Sequence, residues 1–597
     1  MPTIDVSLSD LCSLVGTKMT VDELDHRLEW VKGELKRGES DEELRVELQD
    51  TNRPDLWCIE GIARQIRFSL EQTRDWRDDY GFFERHAALA GRIEVDASVE
   101  KVRPYVSGFV ARGWTVDDAG LRAFIQAQET LSQNYGRKRA TLAIGIYDGK
   151  SVEFPISYRA VPMDDAASAF VPLPPAGELP DEVPAGRWKE AWTPGEILRD
   201  HPTGREYQSA ISGDLAPILT DARGEVLSFP PIINSASLGR VVVGMDELFV
   251  EVTGATLDQV LLAANILAAN MRDRGAEILP VSTRYSYDTP RGRDVIAPHP
   301  LNEKRVLALP LERFRTLLGE PEIAAGEVAS ALHAYGLDVR SESDHLRVEA
   351  PPYRADYLHE VDAVEDYAIS RGYDTFSAKM PEEFTVGRLL PLTDLVDRAR
   401  DRMIGYGFEE AISNILTAPH MLRTAMNLTD EFDGIPGLHG GRLVQIANVM
   451  NENYACLRDW VLPSLLEVES HSAGAVYPHY VFEAGEVAVV DDQAALGSRT
   501  EQRIGALLAH EKASFTEAQS YLYVLLGHLG IEGVRLEATE HPSFLPGRVA
   551  TVNVPGQDRP VGLLGELHPE VLAGDEGFGV RVPCAAFELS LARFVED

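Results

Sequence analysis

Cysteine is scarce. Cys12, Cys58, Cys456 and Cys584 are the only four in 597 residues, and no two form a C-x-x-C pair or adjoin a histidine cluster. That spacing argues against a structural zinc site and a disulfide framework, and it suits a reducing cytoplasm. Positive charge is also short: 57 basic residues against 95 acidic ones leave a formal charge of −38. Arginine heavily outnumbers lysine. So acidic a surface does not bind nucleic acid indiscriminately, and any such contact must use a local basic patch. Long apolar runs are missing too. The longest, around Val260 to Met271, is broken by Asn265 and Asn270 and is too short to cross a bilayer. The opening MPTIDVSLSDL lacks the basic-then-apolar order of a signal peptide, so a membrane partner is not expected.

What is present is the composition of an ordinary globular protein, 44% hydrophobic and 25% charged. The chain is too long for one core, and about three to five domains are expected.

The most informative stretch is PPYRADYLHEVDAVEDYAISRGYD, from Pro351 to Asp374. Two prolines end an extended run, a loop carries Asp356, and the spacing predicts a helix from near His359 to Gly372. Asp362, Glu365 and Asp366 then fall at i, i+3 and i+4 on one helix face, where like charges repel unless something positive sits among them. With Asp356 they offer four oxygen donors, the type that a hard divalent cation takes. On spacing alone a solvated acidic face explains them equally well.

The flanks add more. Tyr353-Arg354-Ala-Asp356, then Asp362-x-x-Glu365-Asp366, then Arg371-Gly372-Tyr373-Asp374, closely resembles the magnesium-binding domain of phenylalanyl-tRNA synthetase β subunits. The resemblance implies Mg2+ on Asp356, Asp362, Glu365 and Asp366. It extends over nearly all of the chain and implies an α+β multidomain fold. Residues 1–90 would be an N-terminal α/β unit, 91–275 a β-rich editing and tRNA-binding domain, and 276–300 a linker, in which AEILPVSTRYSYD is strand-like and RGRDVIAPHP carries the linker's prolines. Residues 301–376 would be a winged-helix-like magnesium-binding domain, reading strand, helix, helix, hairpin, helix, with Gly319 and Gly336 closing the first two helices. Residues 377–597 would be an inactive class II catalytic-like domain built on an antiparallel sheet.

In the first unit, TVDELDHRLEWVKGEL reads as a helix capped by Thr20, with Leu24, Leu28 and Val31 on one face. Asn52-Arg53-Pro54-Asp55 and the following E-G-I-A-R are similar to a family motif, and on physical grounds they are a turn and a helix entrance. In the second unit, HPTGREYQSAI and LSFPPIINSASLGRV are similar to the archaeal and eukaryotic branch. The resemblance places an editing pocket at Leu219, Ser228, Glu251 and Thr253. For Leu219, core packing explains the residue equally. Glu251 is more pointed, because it interrupts the apolar F-V-E-V, where an unpaired carboxylate is costly to bury; alternate strand positions leave open that it faces solvent. Arg137, Lys138 and Arg139 form a dense basic cluster, ordinarily a solvated surface. Beside an editing pocket they become candidate tRNA contacts.

The last unit lacks the arginines that a class II site uses to grip ATP. Glu483 to Val489 contains none, and Gly577-Phe-Gly579-Val-Arg581 is one residue short of the G-x-G-x-x-R spacing. The family therefore implies the β subunit of a cytoplasmic phenylalanine–tRNA ligase, in an (αβ)2 heterotetramer that charges tRNA(Phe). ATP and phenylalanine would be bound by the α subunit, and this chain would hydrolyse mischarged tyrosyl-tRNA. Two rivals are a stand-alone aminoacyl-tRNA deacylase, which would not need the last two hundred residues, and a non-catalytic tRNA-binding scaffold.

Overall fold

The computed structural model describes residues 2–595 apart from 37–39, 41, 50–51, 72, 86–87, 176–185, 302–305, 343–344, 382, 430–431, 433, 436–437, 440 and 473. It is an α+β chain of two compact units, Met1–Lys379 and Met380–Asp597.

The first unit opens with a three-stranded antiparallel sheet in the order β1-β3-β2, formed by β1 (Thr3–Ser7), β2 (Gly33–Lys36) and β3 (Glu43–Leu48). Thr20 does cap a helix, closing a capping box with Glu23. That helix ends at Arg27, however, and the chain passes through a 3-10 turn into β2, so the expected helix is shorter than its periodicity. Lys32, at φ 48°, makes the break. Leu24, Leu28 and Val31 are buried as the pattern requires.

A ten-stranded sheet follows, with β4 (Gly91–Val95), β5 (Tyr105–Arg112), β6 (Leu142–Asp148) and β7 (Ile156–Pro162). It continues through β8 (Leu215–Thr220), β9 (Val226–Phe229), β10 (Ile233–Asn234) and β11 (Glu247–Gly254). The last two strands are β12 (Glu277–Tyr285) and β13 (Asp294–Ala297). The order is β10-β9-β8-β7-β4-β12-β5-β11-β6, with β13 beside β12. Within residues 276–300 the strand-like EILPVSTRY is β12, which pairs with both β4 and β5 in mid-sheet; four successive buried residues, Ile278 to Val281, suit a strand covered on both faces.

The apolar helix Leu257–Asp273 packs on β5 and β11. One apolar cluster runs from Ile4 through this helix to Tyr353, so residues 1–90 and 91–275 share a core. Asp273 fastens the join: Arg64 and Arg67, from helix Ile59–Leu70, donate to it at 2.8 and 2.7 Å. Gly61 in that helix is forced by packing. A Cβ there would lie 1.8 Å from the carbonyl oxygen of Asp55.

Residues 306–371 follow the expected order: β14 (Val306–Pro310), helices Leu311–Leu318 and Ala325–Ala334, the hairpin β15 (Asp338–Ser341) and β16 (His345–Glu349), and helix Glu360–Arg371. Gly319, Gly336 and Gly372 take left-handed φ of 65°, 90° and 90° at the helix ends.

In the second unit a seven-stranded sheet runs from Glu409–Glu410 through His479–Val490, Ser498–Ala509, Cys584–Ser590, Gly562–Leu567 and Phe544–Asn553 to Arg535–Ala538. All neighbours are antiparallel except the first pair. Alternate residues of its strands feed two apolar clusters: Ile504, Ala506 and Leu508 join one, and Leu507 and Ala509 the other. Among the described residues no helix is long and apolar enough to cross a membrane.

Candidate functional site

A cavity of about 210 Å³ opens beside β9, β10 and β11, lined among others by Arg139, Ser228, Ile232, Asn234 and Glu251. Glu251 reaches it because β11 lies between β5 and β6 and its side chain points inward at 2% exposure. The solvent-facing alternative for Glu251 is thereby removed. Burial pushes its carboxyl up to about 7, against the opposing hydrogen bond from Tyr147 and the charge of Arg103. The Tyr147 hydroxyl stands 3.0 Å from Glu251 Oε1 and 2.8 Å from Ser228 Oγ. Glu251 and Ser228, remote in sequence, are thus joined through one phenol.

Thr253 shares Glu251's strand but not its cavity. Its hydroxyl accepts a 2.9 Å bond from Nε of the buried Arg103, whose other nitrogens donate to the carbonyls of Thr253 and Ala140. Burial without a carboxylate at hydrogen-bond distance lowers the Arg103 guanidinium to about 10. Leu219 pairs with Ser228 across β8 and β9 and lies fully buried in the apolar core. Core packing accounts for it.

Of the basic cluster, Arg139 lines the cavity. Arg137, Lys138 and Arg139 hold successive left-handed φ of 49°, 54° and 64°. A non-glycine residue in that region costs roughly 1 kcal/mol or more. The turn is held by Lys138 N donating to the Gln133 carbonyl and Arg139 N to that of Ser132. Arg139 lies 4.1 Å over the Tyr207 ring and donates to the Ile232 carbonyl and to Glu129, each at 3.0 Å. Arg137 and Lys138 are exposed.

Sequence comparison decides the family. Residues 377–591 match the family model described as the phenylalanyl tRNA synthetase beta chain CLM domain, and residues 307–373 match the tRNA synthetase B5 domain. The phenylalanine–tRNA ligase beta subunit of Treponema pallidum is 37% identical over 562 residues, covering 92% of this chain and 86% of the relative. That of Thermococcus kodakarensis is 34% identical, with 99% of each chain covered. The chain belongs to the phenylalanine–tRNA ligase beta subunit family. A crystal structure of an N-terminal fragment of the Pyrococcus horikoshii phenylalanyl-tRNA synthetase beta subunit covers 62% of this chain, at TM-score 0.55 and 31% identity.

Within this beta subunit Asp362, Glu365 and Asp366 do lie on one helix, Glu360–Arg371, but their side chains and that of Asp356 turn to different partners. Asp356 and Asp366 point inward around Arg354, whose Nη2 lies 2.9 Å from Asp366, while its Nε donates to Asp356 at 3.1 Å. Arg53, bonded to Asp55, stands 3.7 Å from Asp356. Burial alone would raise Asp356, but Arg354 and Arg53 hold it below the usual carboxylate range. Burial raises Asp366, opposed by Arg354. Asp362 turns back to accept from the backbone nitrogens of Leu358 and His359, both at 2.7 Å, as a helix cap. Glu365 faces outward and pairs with Lys32 at 2.8 Å. The repulsion expected at this spacing is thus relieved by Arg354 and Lys32.

Among the described residues no three His, Cys, Asp or Glu side chains converge on a metal position. In kind the donors still fit a hard cation. Asp356 and Asp366 share Arg354, Arg53 lies between Asp55 and Asp356, Lys32 meets Glu365, and Asp362 accepts from backbone nitrogens, all through the carboxylate oxygens that such a cation takes.

The two buried arginines on the sheet side of the second unit are both neutralised. Arg458 donates to Glu483 at 2.6 Å, and Arg503 is held between Glu501 and Glu588. Neither is free for a phosphate. Sequence reasoning missed Arg53, Arg103, Asn234 and Tyr147 as site residues. Tyr147 carried a signal, a polar-tipped ring two residues after a glycine in an apolar strand, and Arg53 lay in the N-R-P-D motif read as a turn.

Proposed function

We propose that this chain acts as the beta subunit of a phenylalanine–tRNA ligase and removes tyrosine wrongly attached to tRNA(Phe) in the cavity bounded by Glu251. Phenylalanine and ATP are handled by an alpha subunit in an (αβ)2 assembly in the cytoplasm. The carrying observation is Glu251, a buried carboxylate in a cavity, with one oxygen bonded to a phenol and the other without a partner. Tyrosine is phenylalanine plus a hydroxyl, and an apolar synthetic pocket rejects an added hydroxyl by only about a hundredfold. A second site that accepts the hydroxyl supplies the rest. Arg137, Lys138 and Arg139, of which Arg139 lines the cavity, would meet the negatively charged acceptor end of tRNA. Asp356, Asp362, Glu365 and Asp366 would hold Mg2+, which supplies local charge balance to this part of the subunit. The domain-level reading is an editing domain at 91–275, a winged-helix-like metal-binding domain at 301–376 and an inactive class II catalytic-like domain from 377. The neutralised Arg458 and Arg503 support the last.

The test uses the full chain with and without its alpha subunit. The chain alone is expected to make no phenylalanyl-tRNA. Tyrosyl-tRNA deacylation should fall about tenfold or more on Glu251→Ala, while phenylalanylation by the complex stays near wild type. Equal editing by the variant refutes the pocket.

A further inference from the structure

Tyr147, the residue that holds Glu251, belongs to no motif. It is fully buried on β6, its ring stacked on Phe249 with centroids 5.8 Å apart. Its hydroxyl meets three oxygens: Glu251 Oε1 at 3.0 Å, Ser228 Oγ at 2.8 Å and Asn234 Oδ1 at 3.5 Å. A phenol has one hydrogen to donate. Burial, with the neighbouring Glu251, raises the Tyr147 phenol well above its ordinary value, so that hydrogen stays in place at neutral pH. A serine hydroxyl can donate to the phenol oxygen, which frees the phenol hydrogen for Glu251 Oε1. Glu251 Oε2 is then buried with no hydrogen-bond partner.

The space for this arrangement is written into the strands. Glu251 has Gly145 opposite it on β6 and Gly108 opposite it on β5. A Cβ at Gly145 would fall 2.3 Å from the Tyr147 hydroxyl and 2.5 Å from Glu251 Oε1. At such distances something must move. The run Gly145-Ile146-Tyr147 therefore supplies both the phenol and the notch in which it reaches the carboxylate.

We propose that Tyr147 is the positioning residue of this cavity: its phenol fixes Oε1 of Glu251 and so presents Oε2 to aminoacyl esters whose aromatic ring carries a hydroxyl. The proposal rests on the editing function given above and names what sets its selectivity. The two phenols, one from the protein and one from the substrate, divide the two oxygens of a single carboxylate. An ester without the hydroxyl leaves Oε2 buried and unpaired.

The groups facing Glu251 from its surroundings are Tyr147 on β6, Arg103 ahead of β5, Tyr158 on β7 and Arg139 in the cavity lining. Of the influences opposing burial, the Tyr147 hydrogen bond is the largest, and Arg103 follows. Removing the phenol hydroxyl therefore moves the Glu251 carboxyl further up and keeps it protonated over more of the neutral range.

The experiment compares wild type, Tyr147→Phe and Gly145→Ala in the full chain assembled with its catalytic subunit. Deacylation of tyrosyl-tRNA and phenylalanyl-tRNA is followed across the neutral pH range. In Tyr147→Phe the preference for tyrosyl-tRNA should drop about tenfold, and the acidic limb of the profile should move to higher pH. Gly145→Ala keeps every polar group and only displaces the contact, so it should shift both in the same direction; it guards against misfolding of the first variant. The infrared band of the protonated carboxyl, assigned by its absence in Glu251→Gln, gives a midpoint that needs no activity. Wild-type protein without tyrosyl-tRNA deacylation would overturn the editing function, and the infrared midpoint would still decide the role of Tyr147. Folded Tyr147→Phe with unchanged preference and unchanged midpoint overturns the proposal.

Discussion

Two buried acidic sites in the first unit solve the same problem in opposite ways. Around Arg354, Asp356 and Asp366 are buried with cations: Arg354 touches both and Arg53 approaches Asp356. Beside the cavity, Glu251 is buried with a phenol, and its nearest cation, Arg103, spends its hydrogen bonds on Thr253 and Ala140. The consequence shows in the protons. Asp356 is held below its ordinary range, whereas Glu251 is pushed up to about 7. Arg354 and Arg53 together outweigh the desolvation of Asp356, whereas Asp366, on the same arginine but beside the charge of Asp356, is still raised. The first arrangement builds a joint between chain segments, and the second leaves Oε2 of Glu251 buried without a hydrogen-bond partner.

The largest effect should come from breaking the joint. Arg354→Ala leaves Asp356 and Asp366 facing each other without their shared cation, and removing one member of a buried ion network costs about 3–5 kcal/mol. Urea unfolding of the full chain in metal-free buffer measures it. A loss below about 1 kcal/mol would mean that Arg354 does not carry the cluster.

The second effect is in pH dependence. Glu251's folded value of about 7 lies above its ordinary value of 4.5, so the native state binds the extra proton. Its contribution is fully present below the unfolded value and is lost as pH rises through the folded one, by roughly 3 kcal/mol at most. Asp356 has the opposite sign: its contribution is present above its unfolded value and is lost as pH falls through the lowered folded value. Glu251→Gln should therefore remove a decline in stability between pH 4.5 and about 7. Superimposable stability–pH curves for Glu251→Gln and wild type in that window would break the contrast.

The smallest effect is expected at the outer carboxylate. Glu365 is 45% exposed where it pairs with Lys32. Glu365→Gln should cost only about 0.2–1 kcal/mol, and added salt should erase most of it. A larger loss from thermal melting would place Glu365 in the buried network after all.

Local order was legible where local chemistry fixes it. Thr20 with Glu23 signalled a helix start, and Gly319, Gly336 and Gly372 signalled helix ends, since only glycine takes those turns cheaply. The helix through Lys32 was overread because three apolar residues at helical spacing continue their burial through a 3-10 turn into a strand. In the 276–300 stretch the strand itself is legible, but its place in mid-sheet is not, because central strands are recognised by neighbours that lie far away in sequence. The motif Asn52-Arg53-Pro54-Asp55 looked like a turn and is one. Its arginine also reaches Asp356, three hundred residues downstream.

By itself the sequence determined the family, the order of elements from 306 to 371 and the four carboxylates worth watching, because those depend on spacing along the chain. Only the tertiary structure decided which way each carboxylate turns. Asp362, Glu365 and Asp366 are neighbours on one helix, yet one caps the helix, one meets Lys32 and one is buried against Arg354. The same holds for Glu251, whose partner Tyr147 is set by β6 lying beside β11. Desolvation and hydrogen bonding act over a few ångströms of space, and cross-strand pairing places there residues that the chain keeps a hundred positions apart.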